Sequence, residues 1–264
     1  MDAPIGVIDS GVGGLTVVKR MLESLPNEPI IYIGDDARCP YGPRTPEEVI
    51  TFTMEMANAL QAMGIKMLVI ACNTATAVAL DKVRSHFTFP VIGVIDPGAR
   101  AAVKETDSRK IAVLATSGTI QSGAYQQAIH DHLPTATIHA LACPEFVPLV
   151  ESGQYKSAYA GNVVQSGLQS LVGKEFDTAI LGCTHYPLLK NHIQNALPEG
   201  VKIISSAVET VHDIEKTLRD CNLKNYASHA VPPVFFTSGS TMHFREIALD
   251  WLAIDEADVR TIAF

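Results

Sequence analysis

Short apolar runs alternate with longer amphipathic segments along the 264-residue chain. The runs Ile5–Asp9, Ile30–Ile33, Met67–Ala71, Val91–Val94, Ile111–Ala115, Thr137–Ala142, Thr178–Leu181, Lys202–Ile204 and Val234–Thr237 read as strands. Most are continuously apolar rather than alternating, which is the pattern of strands buried on both faces of a parallel sheet. Helical segments fit between them. One carries a clear start signal, Thr45-Pro46-Glu47-Glu48. Thr45 can cap, Pro46 suits the first helical position and Glu48 completes a capping box. Alternation of this kind predicts an α/β fold with mostly parallel sheets.

The pattern also repeats. Ile5–Gly11 resembles Ile111–Ser117, Cys39-Pro40-Tyr41 has a counterpart in Cys143-Pro144-Glu145, and Val69–Thr74 resembles Ile180–His185. The separations are 106, 104 and 111 residues. Three matches in one order at nearly one offset predict two similar doubly wound α/β domains, with the active site in the cleft between them. No Gly/Ser-rich linker separates the halves, so strand count sets the boundaries. The first domain is expected to span 1–96 plus 207–264, the second 97–206. The C-terminal segment, which has no partner in the second repeat, is expected to return and complete the first domain.

Composition narrows the function. Hydrophobic residues make up 47% and charged residues 18%, as in an ordinary globular chain. The net charge is −8 with no basic block, which argues against nucleic acid as a partner. A small anionic substrate stays open, because the local field in a cleft matters more than net charge. The N-terminus shows no signal-peptide pattern and no apolar run approaches a membrane span, so no membrane association is expected. The five cysteines, Cys39, Cys72, Cys143, Cys183 and Cys221, are odd in number and contain no CxxC pair. That argues against a disulfide framework or a zinc ribbon and for a reduced, cytoplasmic setting.

In open α/β sheets ligands bind beyond the carboxyl ends of the strands. The polar residues there are Asp9-Ser10-Gly11, the 35–42 loop, Cys72-Asn73-Thr74, Thr116–Thr119 and Cys183-Thr184-His185. Cys72 precedes a helix expected to start near Thr74, and a helix N-terminus favours a thiolate. Either cysteine alone reads as a small buried hydrophobe. Their matched places in the repeat point instead to two thiols facing one cleft. Racemisation needs a base on one face of a carbon and an acid on the other, and a thiol near its reference pKa of roughly 8.5 needs only modest tuning. Asp9 reads either as a proton carrier behind Cys72 or as a helix cap. His185 reads as a relay beside Cys183, as a polar helix start, or as half of a weak metal pair. Gly11-Val12-Gly13-Gly14 resembles a nucleotide fingerprint, but Thr16 holds the third glycine position. The same turn can bind a carboxylate through backbone N–H groups. Ser10, Asn73, Thr74 and Thr184 add donors suited to a small amino acid, and Tyr41-Gly42 is either a plain turn or a backbone contact to substrate.

Asp9–Gly14, Pro40-Tyr41-Gly42, Cys72-Asn73-Thr74 and Cys183-Thr184-His185-Tyr186-Pro187 together resemble the signature segments of the glutamate racemase family. Leu114-Ala115-Thr116, Gly118-Thr119 and Phe146–Glu151 resemble further family segments, so the likeness spans nearly the whole chain. It implies interconversion of L- and D-glutamate with no cofactor: no pyridoxal phosphate, metal or nucleotide. By the family's pattern Cys72 takes the α-proton of D-glutamate and Cys183 that of L-glutamate, with Asp9 and His185 assisting on their own sides. Ser10, Tyr41, Gly42, Asn73, Thr74, Thr119 and Thr184 hold the substrate, and Glu151 lies near the site. The resemblance also implies that the product feeds peptidoglycan synthesis and allows a homodimer. An aspartate racemase, a dinucleotide-dependent oxidoreductase and a non-catalytic amino-acid-binding protein stand as alternatives. An open form is expected to hold the thiols too far apart for catalysis.

Overall fold

The structure, a computed structural model, describes residues 2–226 and 230–264. Its strands are β1 Ile5–Asp9, β2 Ile30–Gly34, β3 Met67–Ile70, β4 Val91–Gly93, β5 Lys110–Ala115, β6 Thr137–Ala142, β7 Thr178–Gly182, β8 Lys202–Ser205, β9 Val234–Thr237 and β10 Asp258–Thr261. The α-helices are α1 Leu15–Ser24, α2 Pro46–Ala62, α3 Asn73–His86, α4 Ile95–Glu105, α5 Ser117–Ser122, α6 Ala124–His132, α7 Phe146–Glu151, α8 Ala158–Gly167, α9 Lys190–Ala196, α10 Ser206–Asp220 and α11 Thr241–Leu252. The nine expected strands all form, with ends differing by a residue or so. The helix at Thr45 begins as its signal requires: Thr45 accepts from the Glu48 N–H and the Glu48 side chain accepts from the Thr45 N–H. The strand missing from the sequence expectation is β10. It is short, only Val259 in it is buried, and its polar neighbours hide it from a search for apolar runs.

Two sheets result, ordered β10-β9-β2-β1-β3-β4 and β6-β5-β7-β8. All the strand pairs described are parallel. The inner order of the first sheet, β2-β1-β3-β4, is repeated in the second, so the sequence repeat is a repeat of topology. β9 and β10, from the C-terminal segment, extend the first sheet beyond β2.

Register places the chemistry. Ile8 lies opposite Ile70, so the turns after β1 and β3 leave the sheet side by side. Ala115 lies opposite Gly182, which does the same for the turns after β5 and β7. Alternate strand residues face different layers, as a period of two demands. Ile8 and Ile70 face the α2–α3 layer, and Val113 and Ile180 pack with α4 and α6. Val7 and Val69 join a core that continues to Leu114 and Leu181 of the second sheet. The two lobes therefore share apolar contact instead of hanging on a linker.

One buried ion pair braces the first sheet. Lys66, just before β3, donates to Glu28 at 2.5 Å, and the other Glu28 oxygen accepts the Asn225 N–H at 2.7 Å. Both side chains are almost fully buried. Removing one partner of a buried ion pair costs about 3 kcal/mol or more. Glu28→Ala is therefore expected to lower urea-unfolding stability by that amount, whereas Glu23→Ala, in the exposed pair with Arg20, shifts it by under about 0.5 kcal/mol. Equal effects of the two substitutions would show the Glu28 pair to be idle.

Candidate active site

The carboxyl ends of both sheets meet at one small cavity. Ser10, Pro40, Tyr41, Gly42, Cys72, Asn73, Thr74, Thr116, Val147, Cys183, Thr184 and His185 line it. Nine of the eleven residues expected at the site are among them. The other two, Asp9 and Thr119, stand one step behind the wall. The cavity measures about 20 Å³, close to the space one water molecule occupies. The lobes as they stand are closed on each other around it.

Cys72 forms the N-cap of α3, one residue earlier than expected, and its sulfur accepts the Ala75 N–H at 3.5 Å. Its thiol donates to Ser10 Oγ at 3.7 Å. The helix terminus does favour the thiolate, but it is outweighed. Burial, reinforced by the negative charge of Asp9, pushes the Cys72 thiol up to about 12. The expectation of a lowered pKa at this helix end is thus reversed, because dehydration of a fully buried sulfur exceeds what one terminal N–H returns.

Cys183 follows β7, in the matching place, but what comes after it differs. Thr184 and His185 form a turn, and Tyr186–Leu189 is a 3₁₀ helix before α9. Pro187 in that turn has no N–H to give. The neighbour of this sulfur is a side chain: His185 Nδ1 lies 3.8 Å from Cys183 Sγ, while His185 Nε2 lies 2.5 Å from Glu151 Oε1. Burial disfavours a charged imidazole here. The partners on both ring nitrogens, Cys183 and Glu151, outweigh it and hold the His185 pKa well above its usual value. His185 therefore places positive charge beside Cys183, whereas Cys72 faces the negative charge of Asp9.

Asp9 reaches across the lobes. One carboxylate oxygen accepts the Gly11 N–H at 3.1 Å and the other accepts from Thr184 Oγ1 at 3.2 Å. Burial raises its pKa to about 6 against the opposing pull of His185. Gly13 makes this approach feasible, since a Cβ there would stand 2.3 Å from Thr184 Oγ1 and 2.5 Å from His185 Nδ1. Those side chains occupy the space over the glycine turn that a pyrophosphate would need, which removes the support for the dinucleotide alternative. Thr16 ties the same turn to the second lobe by donating to the Thr184 carbonyl at 3.1 Å.

The remaining expected residues form two further ties. Thr74, Thr116 and Thr119 make a triangle of hydroxyl contacts between 2.9 and 3.2 Å. Gly42 accepts the Gly118 N–H at 3.0 Å, and a Cβ on Gly42 would stand 2.9 Å from Thr116 Cβ. Tyr41 lines the cavity, and its hydroxyl donates to Asp35 at 2.5 Å. Val147 joins the wall from α7. Asp36, half-buried behind the glycine turn, is raised to about 6 by the loss of water and by the charges of Glu151 and Asp9, against the Thr237 hydroxyl. Neither Val147 nor Asp36 carried a sequence signal beyond lying in a strand-end loop or in a segment resembling the family. Among the described residues no group of three or more His, Cys, Asp or Glu side chains could hold a metal ion, and no helix is long and apolar enough to cross a membrane.

Two strand-end thiols thus border one closed cavity, one beside His185 and one beside the N-terminus of α3, and the chain is an isomerase by its likeness to known proteins. The chain belongs to the Asp/Glu/hydantoin racemase family, whose profile matches residues 5–214. It is 54% identical to a glutamate racemase of Lysinibacillus sphaericus over 99% of both chains. Its fold superposes on a glutamate racemase isoform of Bacillus anthracis with a TM-score of 0.95, at 44% identity over 99% of this chain and 98% of that one. It also matches the glutamate racemase of Francisella tularensis in complex with D-glutamate, with a TM-score of 0.92 at 33% identity over 99% of this chain and 98% of that one.

The raised Asp9 pKa fixes the sign of a pH effect. The folded carboxyl holds its proton more tightly than the unfolded one, so its contribution to stability is full below pH 3.8 and is lost as pH rises through about 6. Asp9→Asn keeps the hydrogen-bonding shape without the titration. Between pH 5 and pH 8 the unmodified protein is expected to lose about 1–2 kcal/mol relative to this variant in urea unfolding. Parallel stability curves for the two proteins would rule out the raised pKa.

Proposed function

We propose that the chain interconverts L- and D-glutamate with its own groups alone, by proton transfer between two thiols. The observation that carries this reading is that Cys72 and Cys183, each at a strand end of a different sheet, line one closed cavity. The glutamate racemases among its relatives, one of them holding D-glutamate, support glutamate as the substrate.

In the L-to-D direction the Cys183 thiolate, with the His185 cation beside it, takes the α-proton. The C–H bond breaks, an S–H bond forms and the electron pair stays on carbon. The Cys72 thiol, kept protonated by burial, then gives its proton to the opposite face and becomes a thiolate. The D-to-L direction reverses the roles. Asp9 and His185 return protons between the thiols and solvent. Ser10, Asn73, Thr74, Thr184 and the backbone at Tyr41–Gly42 hold the carboxylates and the ammonium, with Thr119 orienting Thr74 from behind. An α-carbanion has no cofactor here to spread its charge, so fixed donors in a water-free cavity must stabilise it. Two lobes, 1–96 plus 207–264 and 97–206, part to admit the amino acid and close to exclude water. The D-glutamate formed would supply peptidoglycan in the cytoplasm, with the enzyme working alone or as a homodimer.

The test is exchange of the α-hydrogen of L-glutamate in deuterated water, followed with circular dichroism and no added cofactor. The unmodified enzyme is expected to lose optical signal as deuterium enters the α-carbon, and Cys72→Ser and Cys183→Ser each to lower racemisation by about 10²–10⁴-fold. L-aspartate run in parallel reads out specificity, and faster turnover of aspartate would replace glutamate as the substrate. Binding without exchange would leave an amino-acid-binding protein instead.

A further inference from the structure

Asn73 opens α3 next to Cys72, is buried and lines the cavity. Its carboxamide has two ends with different fates. The oxygen accepts a hydrogen bond from Tyr125 Oη at 2.7 Å. The nitrogen is buried without a hydrogen-bond partner among the described residues. A buried amide N–H group left unpaired is costly and uncommon. At the wall of an amino-acid cavity it is explained if an anionic oxygen of the substrate completes it.

Tyr125 comes from the other lobe. It sits in α6, fully buried in the core of the second sheet. A Cβ on Gly182 would stand 2.9 Å from Tyr125 Cε2, and one on Gly98 would stand 3.2 Å from Tyr125 Oη. Gly182 is the residue immediately before Cys183. One side chain therefore packs on the residue preceding one thiol and hydrogen-bonds the residue following the other. Its phenol is held protonated by burial, so it acts as a donor. A hydroxyl that donates to the amide oxygen selects one of the two amide orientations, the one in which the nitrogen is left for a ligand.

We propose that Tyr125 is a positioning residue for substrate: it locks the Asn73 amide with its N–H donors toward the cavity, from a seat against the strand end that bears Cys183. The inference rests on the proposed glutamate reaction. It also makes the donor dependent on lobe closure, because the hydroxyl and the amide lie on different lobes.

Tyr125→Phe keeps the ring over Gly182 and removes only the donor. Steady-state kinetics would be measured in both directions for the unmodified enzyme, Tyr125→Phe, Asn73→Ala and the double variant, with melting temperatures alongside. Tyr125→Phe is expected to raise KM for both enantiomers about tenfold while changing kcat by less than about threefold. On the Asn73→Ala background it should raise KM no further, because its effect passes through that amide. An unchanged KM, or a full additional effect on the Asn73→Ala background, would overturn the proposal. Tyr125→Leu, which also removes the donor but leaves Gly182 and its strand untouched, supplies an independent arm should the phenylalanine variant fold poorly. Its KM increase should likewise vanish on the Asn73→Ala background, and persistence there counts against the proposal. An unmodified enzyme that does not turn over glutamate would overturn the proposed function, and this inference with it. An active unmodified enzyme with a normal Tyr125→Phe KM would overturn this inference alone.

Discussion

The contact on which the rest of the site depends is the one between the turn after β1 and the turn after β7. Asp9 is wholly buried, and its carboxylate is shared between the Gly11 N–H of its own turn and the Thr184 hydroxyl of the other sheet. A buried carboxyl group is tolerated only where such donors meet it. Gly13 lets those donors come close, since its missing side chain is replaced by Thr184 and His185. The contact between the lobes and the placement of the polar groups are thus one feature of the fold. Without the approach of the two turns, Asp9 loses a donor, Thr16 loses the Thr184 carbonyl and the two sulfurs no longer border one cavity.

Closure also sets the charges. In an exposed setting the N-terminus of α3 would govern Cys72, and a thiolate would be favoured. In the closed cavity the loss of water governs it, and the thiol stays protonated. The same dehydration acts on His185, but there two polar partners at 3.8 and 2.5 Å reverse the outcome. The difference between the two sides therefore does not come from burial, which is common to both. It comes from which charged neighbour each sulfur has, an anion for Cys72 and a cation for Cys183.

Much of the fold is legible in the chain because its central strands are buried on both faces and so read as unbroken apolar runs. Ile5–Asp9, Met67–Ile70 and Thr178–Gly182 are of this kind. The candidate site is legible for the same reason, since residues following such runs must lie at strand ends. β10 is not legible, because an edge strand with a single buried residue has little apolar pattern to show. The direction of the Cys72 shift is not legible either. Spacing reveals a helix start, but how dry the position is depends on residues such as Val147 and Thr116, which arrive from the other lobe. Tyr125 is invisible for a related reason. An aromatic residue in a helix facing a sheet reads as core, and only three-dimensional placement shows that its hydroxyl ends on Asn73 across the cleft.

The repeat explains why a matched pair of sulfurs exists, and its imperfections explain why the pair need not behave alike. Both cysteines follow the third strand of a β2-β1-β3-β4-type unit, so topology alone would make them equivalent. After Cys72 comes a full α-helix whose first turn touches the sulfur. After Cys183 comes a short 3₁₀ turn, and a histidine takes the place of the helix terminus. The surroundings of the two sulfurs thus differ, Ser10 and the α3 terminus on one side and His185 on the other, while the facing geometry that duplication provides is kept.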